Sequence, residues 1–168
     1  MRILGIDPGI ATTGFAVLES DGSKSRTLTY GCIRTTAQQP MPDRLQALYR
    51  RLQEILESYK PDTLAIEKLF FAKNANSAMQ VGEARGVAIL AACHAGLAVY
   101  EYTPLQVKLA VAGYGKAEKR QIQQMVKLLL GLAEIPRPDD AADALAIALC
   151  HAHTAGALQA AGRGEGHV

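Results

Sequence analysis

Arg2-Ile-Leu-Gly-Ile-Asp-Pro-Gly9 decides how this chain folds. Ile3, Leu4 and Ile6 suit a buried strand, Asp7 stands at its end, and Pro8-Gly9 bend the chain away. A carboxylate at the tip of a central strand, surrounded by apolar residues, needs a cation or a strong hydrogen-bond donor close by. Asp7 is therefore the first candidate metal ligand.

Working outward, residues 2–7 open a three-stranded meander, with further strands over about 13–19 and 25–35 and a turn at Asp21-Gly22. A helix follows Pro42. Leu45, Leu48, Tyr49, Leu52, Ile55 and Leu56 recur at helical spacing, with Arg44, Arg50, Arg51 and Glu54 opposite, until Pro61 stops it. Residues 62–67, Asp-Thr-Leu-Ala-Ile-Glu, read as a fourth strand that again ends in a carboxylate. A helix over about 76–96 carries the small residues Ala78, Gly82, Gly86 and Ala92, and 97–102 is a fifth strand. Short helices follow over about 104–112 and 117–130. A last helix starts after Pro136-Arg-Pro138, with Asp140 and Asp143 in its first turn. This order predicts an α/β fold with a mixed five-stranded sheet covered by helices on both faces. Residues 1–153 form one domain in this reading, and 154–168, dominated by Gly, Ala and polar residues, form a disordered tail.

A length of 168 residues suits one well-buried domain, and 49% hydrophobic with 20% charged residues describes a globular chain. Cys32, Cys93 and Cys150 show no CxxC spacing, which speaks for reduced thiols and against a disulfide frame or a zinc site. The start on a strand argues against a secretory signal, and the longest apolar run falls far short of the roughly 20 residues that span a membrane. Net charge is +2, so any nucleic-acid surface must come from local clustering. Lys108, Lys116, Lys119, Arg120 and Lys127 offer such a cluster with one intervening acid, Glu118, although Lys127 and Arg120 equally suit a solvated helix face.

The acids are the chemical signal. If the strands ending in Asp7 and Glu67 are parallel neighbours, both carboxylates emerge at one sheet edge. Asp140 and Asp143, three apart on a helix, share a face with Cβ atoms about 5–6 Å apart. Asp139 lies four before Asp143 and is a natural N-cap, so periodicity alone does not choose between Asp139 and Asp140. Each acid also has a plain alternative, facing solvent or favouring the helix dipole. Together, four carboxylates would repel one another without divalent cations, and an oxygen-only set favours Mg²⁺ or Mn²⁺ over zinc. Two such ions about 3.5–4 Å apart would activate water and stabilise the leaving oxygen in phosphodiester cleavage. His151 falls on the face of Asp140 but about 16 Å along the helix, too far to share an ion. His151 and His153 read instead as C-terminal helix residues favourable to the dipole.

Several of these stretches occur together in one known family. Ile-Leu-Gly-Ile-Asp-Pro-Gly9, Ala65-Ile-Glu67, Phe71-Ala-Lys-Asn74, Ala84-Arg-Gly-Val-Ala88, Gln106-Val-Lys108, Ala117-Glu-Lys119 and Asp140-Ala-Ala-Asp-Ala-Leu-Ala-Ile-Ala148 resemble the bacterial RuvC family of Holliday junction resolvases, over about residues 1–153. The resemblance implies an RNase H-like fold, a cytoplasmic homodimer, and Mg²⁺-dependent paired nicking of four-way junction DNA in recombination and repair, alongside a branch-migration motor complex. It pairs Asp140 with Asp143, giving Asp7, Glu67, Asp140 and Asp143 as catalytic metal ligands. Some members carry histidine where this chain has Asp140. It further implies junction stacking by Phe70, with Phe71 beside it, and DNA-backbone contact by Lys108 and Lys119. Lys116, Lys73 and Arg85 are additional DNA-binding candidates. Two rivals are weaker: an ATP-binding domain of the sugar-kinase type, which needs a second domain, and an RNA–DNA hybrid nuclease, whose glutamate usually sits on a helix and not a strand.

Overall fold

The computed structural model describes residues 1–69 and 75–164. β1 (Arg2–Asp7), β2 (Thr12–Ser20) and β3 (Ser25–Arg34) form the antiparallel meander, and β4 (Thr63–Glu67) then β5 (Ala98–Tyr102) add in parallel on the other side of β1. The order β3-β2-β1-β4-β5 makes β1 the central strand, as its apolar run requires.

Alternation along the strands divides the core. Leu4, Ile6, Leu64 and Ile66 pack under α1 (Met41–Tyr59) and α2 (Ala75–His94). Ile3, Leu18 and Ala65 face the opposite layer of α3 (Pro104–Ala112), α4 (Lys119–Leu129) and α5 (Asp139–Gly164). Period two then sends Asp7 and Glu67 to that second face, two positions beyond Gly5 and Ala65. α5 is apolar on every side between Ala144 and Cys150, so it is buried between the sheet and α3 and α4. It comes close because Gly5 and Gly14 lack side chains. A Cβ on Gly14 would overlap the carbonyl oxygen of Asp140, and one on Gly5 would overlap that of Ala144.

Element ends differ from the sequence expectation in instructive ways. α1 begins at Met41, with Pro42 in its first turn, where a missing N–H costs nothing. α3 is closed by a reciprocal cap between Thr103 and Gln106. The largest difference is at the end: α5 continues to Gly164, so residues 154–164 are helical where a disordered tail is expected. Ala155, Ala157, Ala160 and Ala161 are strong helix formers, and Gly156 packs directly against the turn at Gly22.

Candidate active site

Parallel pairing sets Ile6 beside Ile66, so Asp7 and Glu67 leave adjacent strands at the same edge and on the same face. The first turn of α5 descends onto that edge. The result is a cleft of about 220 Å³ lined by Asp7, Glu67, Asp143, Lys108 and Lys119, with Val107, Ile122 and Ile147 among its apolar walls. Asp140 lines a second hollow, shared with Gly9 and Ala11 of the turn after β1 and with Thr12 at the start of β2. The buried Thr13 hydroxyl closes that turn by donating to the Gly9 carbonyl.

Electrostatically the cleft is under tension. Burial first, then the carboxylates of Asp143, Glu67 and Asp140, push Asp7 from 3.8 up to about 8, with Lys119 pulling the other way. Glu67 is raised by burial and by Asp143. Burial raises Asp143 too, against the opposing pull of Lys119. Burial works to lower Lys119, but its bond to Asp143 prevails and holds the ammonium above its ordinary value.

Lys119 Nζ donates to Asp143 Oδ2 at 2.9 Å and stands 3.5 Å from Asp139 Oδ2. The other Asp139 oxygen accepts from Gln123 Nε2 at 2.9 Å. Asp139 is thereby tied to α4, whereas Asp140 is the neighbour whose charge reaches Asp7. The two acids that spacing leaves equivalent therefore have different surroundings.

Among the described residues, no three His, Cys, Asp or Glu side chains form a ready-made metal cage. An oxygen-only, mutually repelling set nevertheless suits a hard divalent ion. Mg²⁺ keeps several waters and takes one or two carboxylates plus substrate phosphates in place of an all-protein shell. The residues present fit such an ion.

Other candidates fall in varied places. Lys108 is half-buried in the cleft wall, and Lys116 is exposed outside it. Arg85 donates to the Glu67 carbonyl and pairs with Glu101, a residue the sequence reading passes over. Its only signal was an acid inside a strand, at a position paired with Ile66. Phe70, Phe71 and Lys73 lie outside the described residues. His151 is a correction. It sits mid-helix and buried, with Nδ1 hydrogen-bonded to the Tyr102 hydroxyl at 2.7 Å, and burial holds its pKa down, so it is no dipole-stabilising cation. His153 bonds the Ala110 carbonyl.

The family model described as crossover junction endodeoxyribonuclease RuvC matches residues 3–151. The chain belongs to the RuvC family. A RuvC from Chloroflexus aggregans is 60% identical over 159 residues, covering 95% of this chain and 97% of that one. The structure of Thermus thermophilus RuvC in complex with a Holliday junction substrate superposes with a TM-score of 0.90 at 42% identity, covering 94% and 96% of the two chains. The yeast mitochondrial resolvase Ydc2 shares the fold at a TM-score of 0.68 and 15% identity, over 94% of this chain and 80% of its own. The sheet order and flanking helices are thus those of an RNase H-like α/β fold.

Proposed function

We infer that this chain is a divalent-metal-dependent endonuclease that resolves four-way DNA junctions by paired, symmetric nicks, acting in bacterial cytoplasmic recombination and repair. One observation carries the reading beyond family membership: Asp7, Glu67 and Asp143 from three separate elements share a single cleft, within the field of Asp140. Burying that much like charge is costly unless cations enter.

In this reading Asp7, Glu67, Asp140 and Asp143 hold two Mg²⁺ ions, with Mn²⁺ able to substitute. When bound, the ions supply Lewis-acid stabilisation of the phosphate and an acidified attacking water. The chain's own residues do the rest. The paired strands hold Asp7 and Glu67 in fixed register, so their oxygens are placed before substrate arrives. Val107, Ile122 and Ile147 keep one wall of the cleft dry, which strengthens electrostatic contacts within it. Lys108 and Lys119 present ammonium groups to the phosphate backbone, and Lys116 extends that surface. Phe70, with Phe71 and Lys73 next to it, follows Glu67 in the chain and is assigned to the opened junction by family likeness, where base stacking contributes about 1–3 kcal/mol.

A junction has two-fold symmetry and needs two matched nicks, so a two-fold dimer is the economical assembly. α2 offers a surface for it, with exposed Met79 and Leu90 and open space above Gly86. A branch-migration motor complex is the implied second partner. Among the described residues, no helix is long and apolar enough to cross a membrane.

The test is incubation with a synthetic immobile four-way junction, with and without Mg²⁺, beside duplex and RNA–DNA hybrid controls. Symmetric metal-dependent nicks in the junction alone support the reading. Equal cutting of the hybrid, or junction binding with no cutting at any metal concentration, overturns it.

A further inference from the structure

Arg85 lies on α2, on the face of the sheet opposite the catalytic cleft. Its Nε donates to the backbone carbonyl of Glu67 at 3.2 Å, and its Nη2 pairs with Glu101 Oε1 at 2.8 Å. Only 17% of its side-chain area meets solvent. Register explains the arrangement. Glu101 pairs with Ile66, whose side chain packs under α2, so period two directs Glu101 to the same helix. Glu67, one residue on, sends its carboxylate through to the opposite face. The guanidinium therefore grips the main chain of a cleft acid from behind.

We propose that Arg85 is a positioning residue: with Glu101 it forms a clamp that fixes the end of β4, and through it the Glu67 carboxylate, for divalent-ion binding. The clamp sits where the strand needs it. β4 has five residues and ends at Glu67, and one more backbone bond, Lys68 N–H to the Tyr102 carbonyl at 2.8 Å, continues its pairing with β5. The Glu67 carbonyl of that same peptide group takes the Arg85 hydrogen bond. A guanidinium reaches two acceptors in one plane with separate N–H groups, which a lysine ammonium at the end of a flexible stem does not reproduce. Partners that orient metal-ligating carboxylates matter almost as much as the ligands, and their loss typically costs about 10–100-fold in metal affinity or activity.

This assignment rests on the nuclease reading of the cleft, and it differs from a phosphate-binding role for Arg85. Glu101→Gln separates the two. Glu101 is on an edge strand and 39% exposed, so the substitution leaves the core untouched, yet it removes the charge that holds the guanidinium. Arg85→Gln is the companion. Three quantities are read for each: junction affinity and its salt slope in chelator, the rise in melting temperature on adding Mn²⁺ without DNA, and the Mg²⁺ concentration giving half-maximal single-turnover nicking. The clamp predicts that both variants shrink the Mn²⁺-induced rise and raise the half-maximal Mg²⁺ about 10-fold. Junction affinity stays within about twofold and the salt slope is unchanged. A salt slope reduced by about one in Arg85→Gln, with metal dependence intact, makes Arg85 a phosphate contact and ends the proposal. So does a Glu101→Gln protein with wild-type metal dependence. A wild-type protein that gains stability from Mn²⁺ but never nicks a junction sinks the resolvase reading while leaving the clamp testable by melting.

Discussion

Replacing Asp7 by asparagine is expected to stabilise the metal-free protein while removing its nicking activity. A carboxyl raised in the fold binds a proton that the unfolded chain has already released. Its contribution to stability is thus fully present below pH 3.8 and is lost as pH climbs to about 8. At about 1.36 kcal/mol per unit, the formal ceiling on that loss is on the order of 6 kcal/mol. Water entry and side-chain relaxation act like a high effective dielectric, which reduces the expected gain in Asp7→Asn to about 2 kcal/mol above pH 8. For a chain of this size that corresponds to roughly 4–8 °C in Tm. Urea and thermal unfolding in chelator at pH 4.5 and 8.5 measure it directly. The variant's advantage should be small at the lower pH and fully developed at the higher. Adding Mg²⁺ should raise the wild-type Tm more than the variant's, and the variant should still bind junctions. An Asp7→Asn protein no more stable than wild type at pH 8.5 would falsify the claim that the acids strain the cleft.

Gly14→Ala pushes a methyl into the Asp140 carbonyl and should cost about 1–3 kcal/mol in urea unfolding, with slower nicking because α5 is displaced from the strand ends. An unchanged midpoint would show that α5 does not need that close approach. Lys119→Ala should flatten the salt dependence of junction binding by about one in log–log slope, and an identical slope would remove Lys119 from the DNA surface. His151 is held below the ordinary histidine value of 6.5 by burial, so stability should fall as pH drops through 6.5, when only the unfolded chain takes up the proton. In His151→Phe that acid-side loss should shrink, and a curve parallel to wild type between pH 7 and 5 counts against a buried neutral ring.

The strands were legible because alternation and turn residues act locally. Ile3 to Ile6 and Leu64 to Ile66 announce buried strands, and their shared terminal acids suggest the parallel pairing that brings Asp7 beside Glu67. Legibility failed where position depends on packing at a distance. Asp139 and Asp140 are alike in helical spacing, and only Lys119 and Gln123 of α4 draw Asp139 aside. His151 reads as a helix end because Thr154 and the glycines beyond it suggest termination, yet contact with the Gly22 turn accompanies a helix that runs on. Arg85 reads as a DNA-binding candidate on the helix after Glu67. Nothing local reveals that Glu101, sixteen residues on, closes over it.

The cleft draws its acids from segments far apart in sequence: Asp7 ends β1, and Asp143 belongs to α5. That helix is also the slab of alanine and leucine that covers the second face of the sheet. The cleft is therefore incomplete until α5 has closed onto β1 and β2, so its acids come together only as the sheet and its second layer assemble.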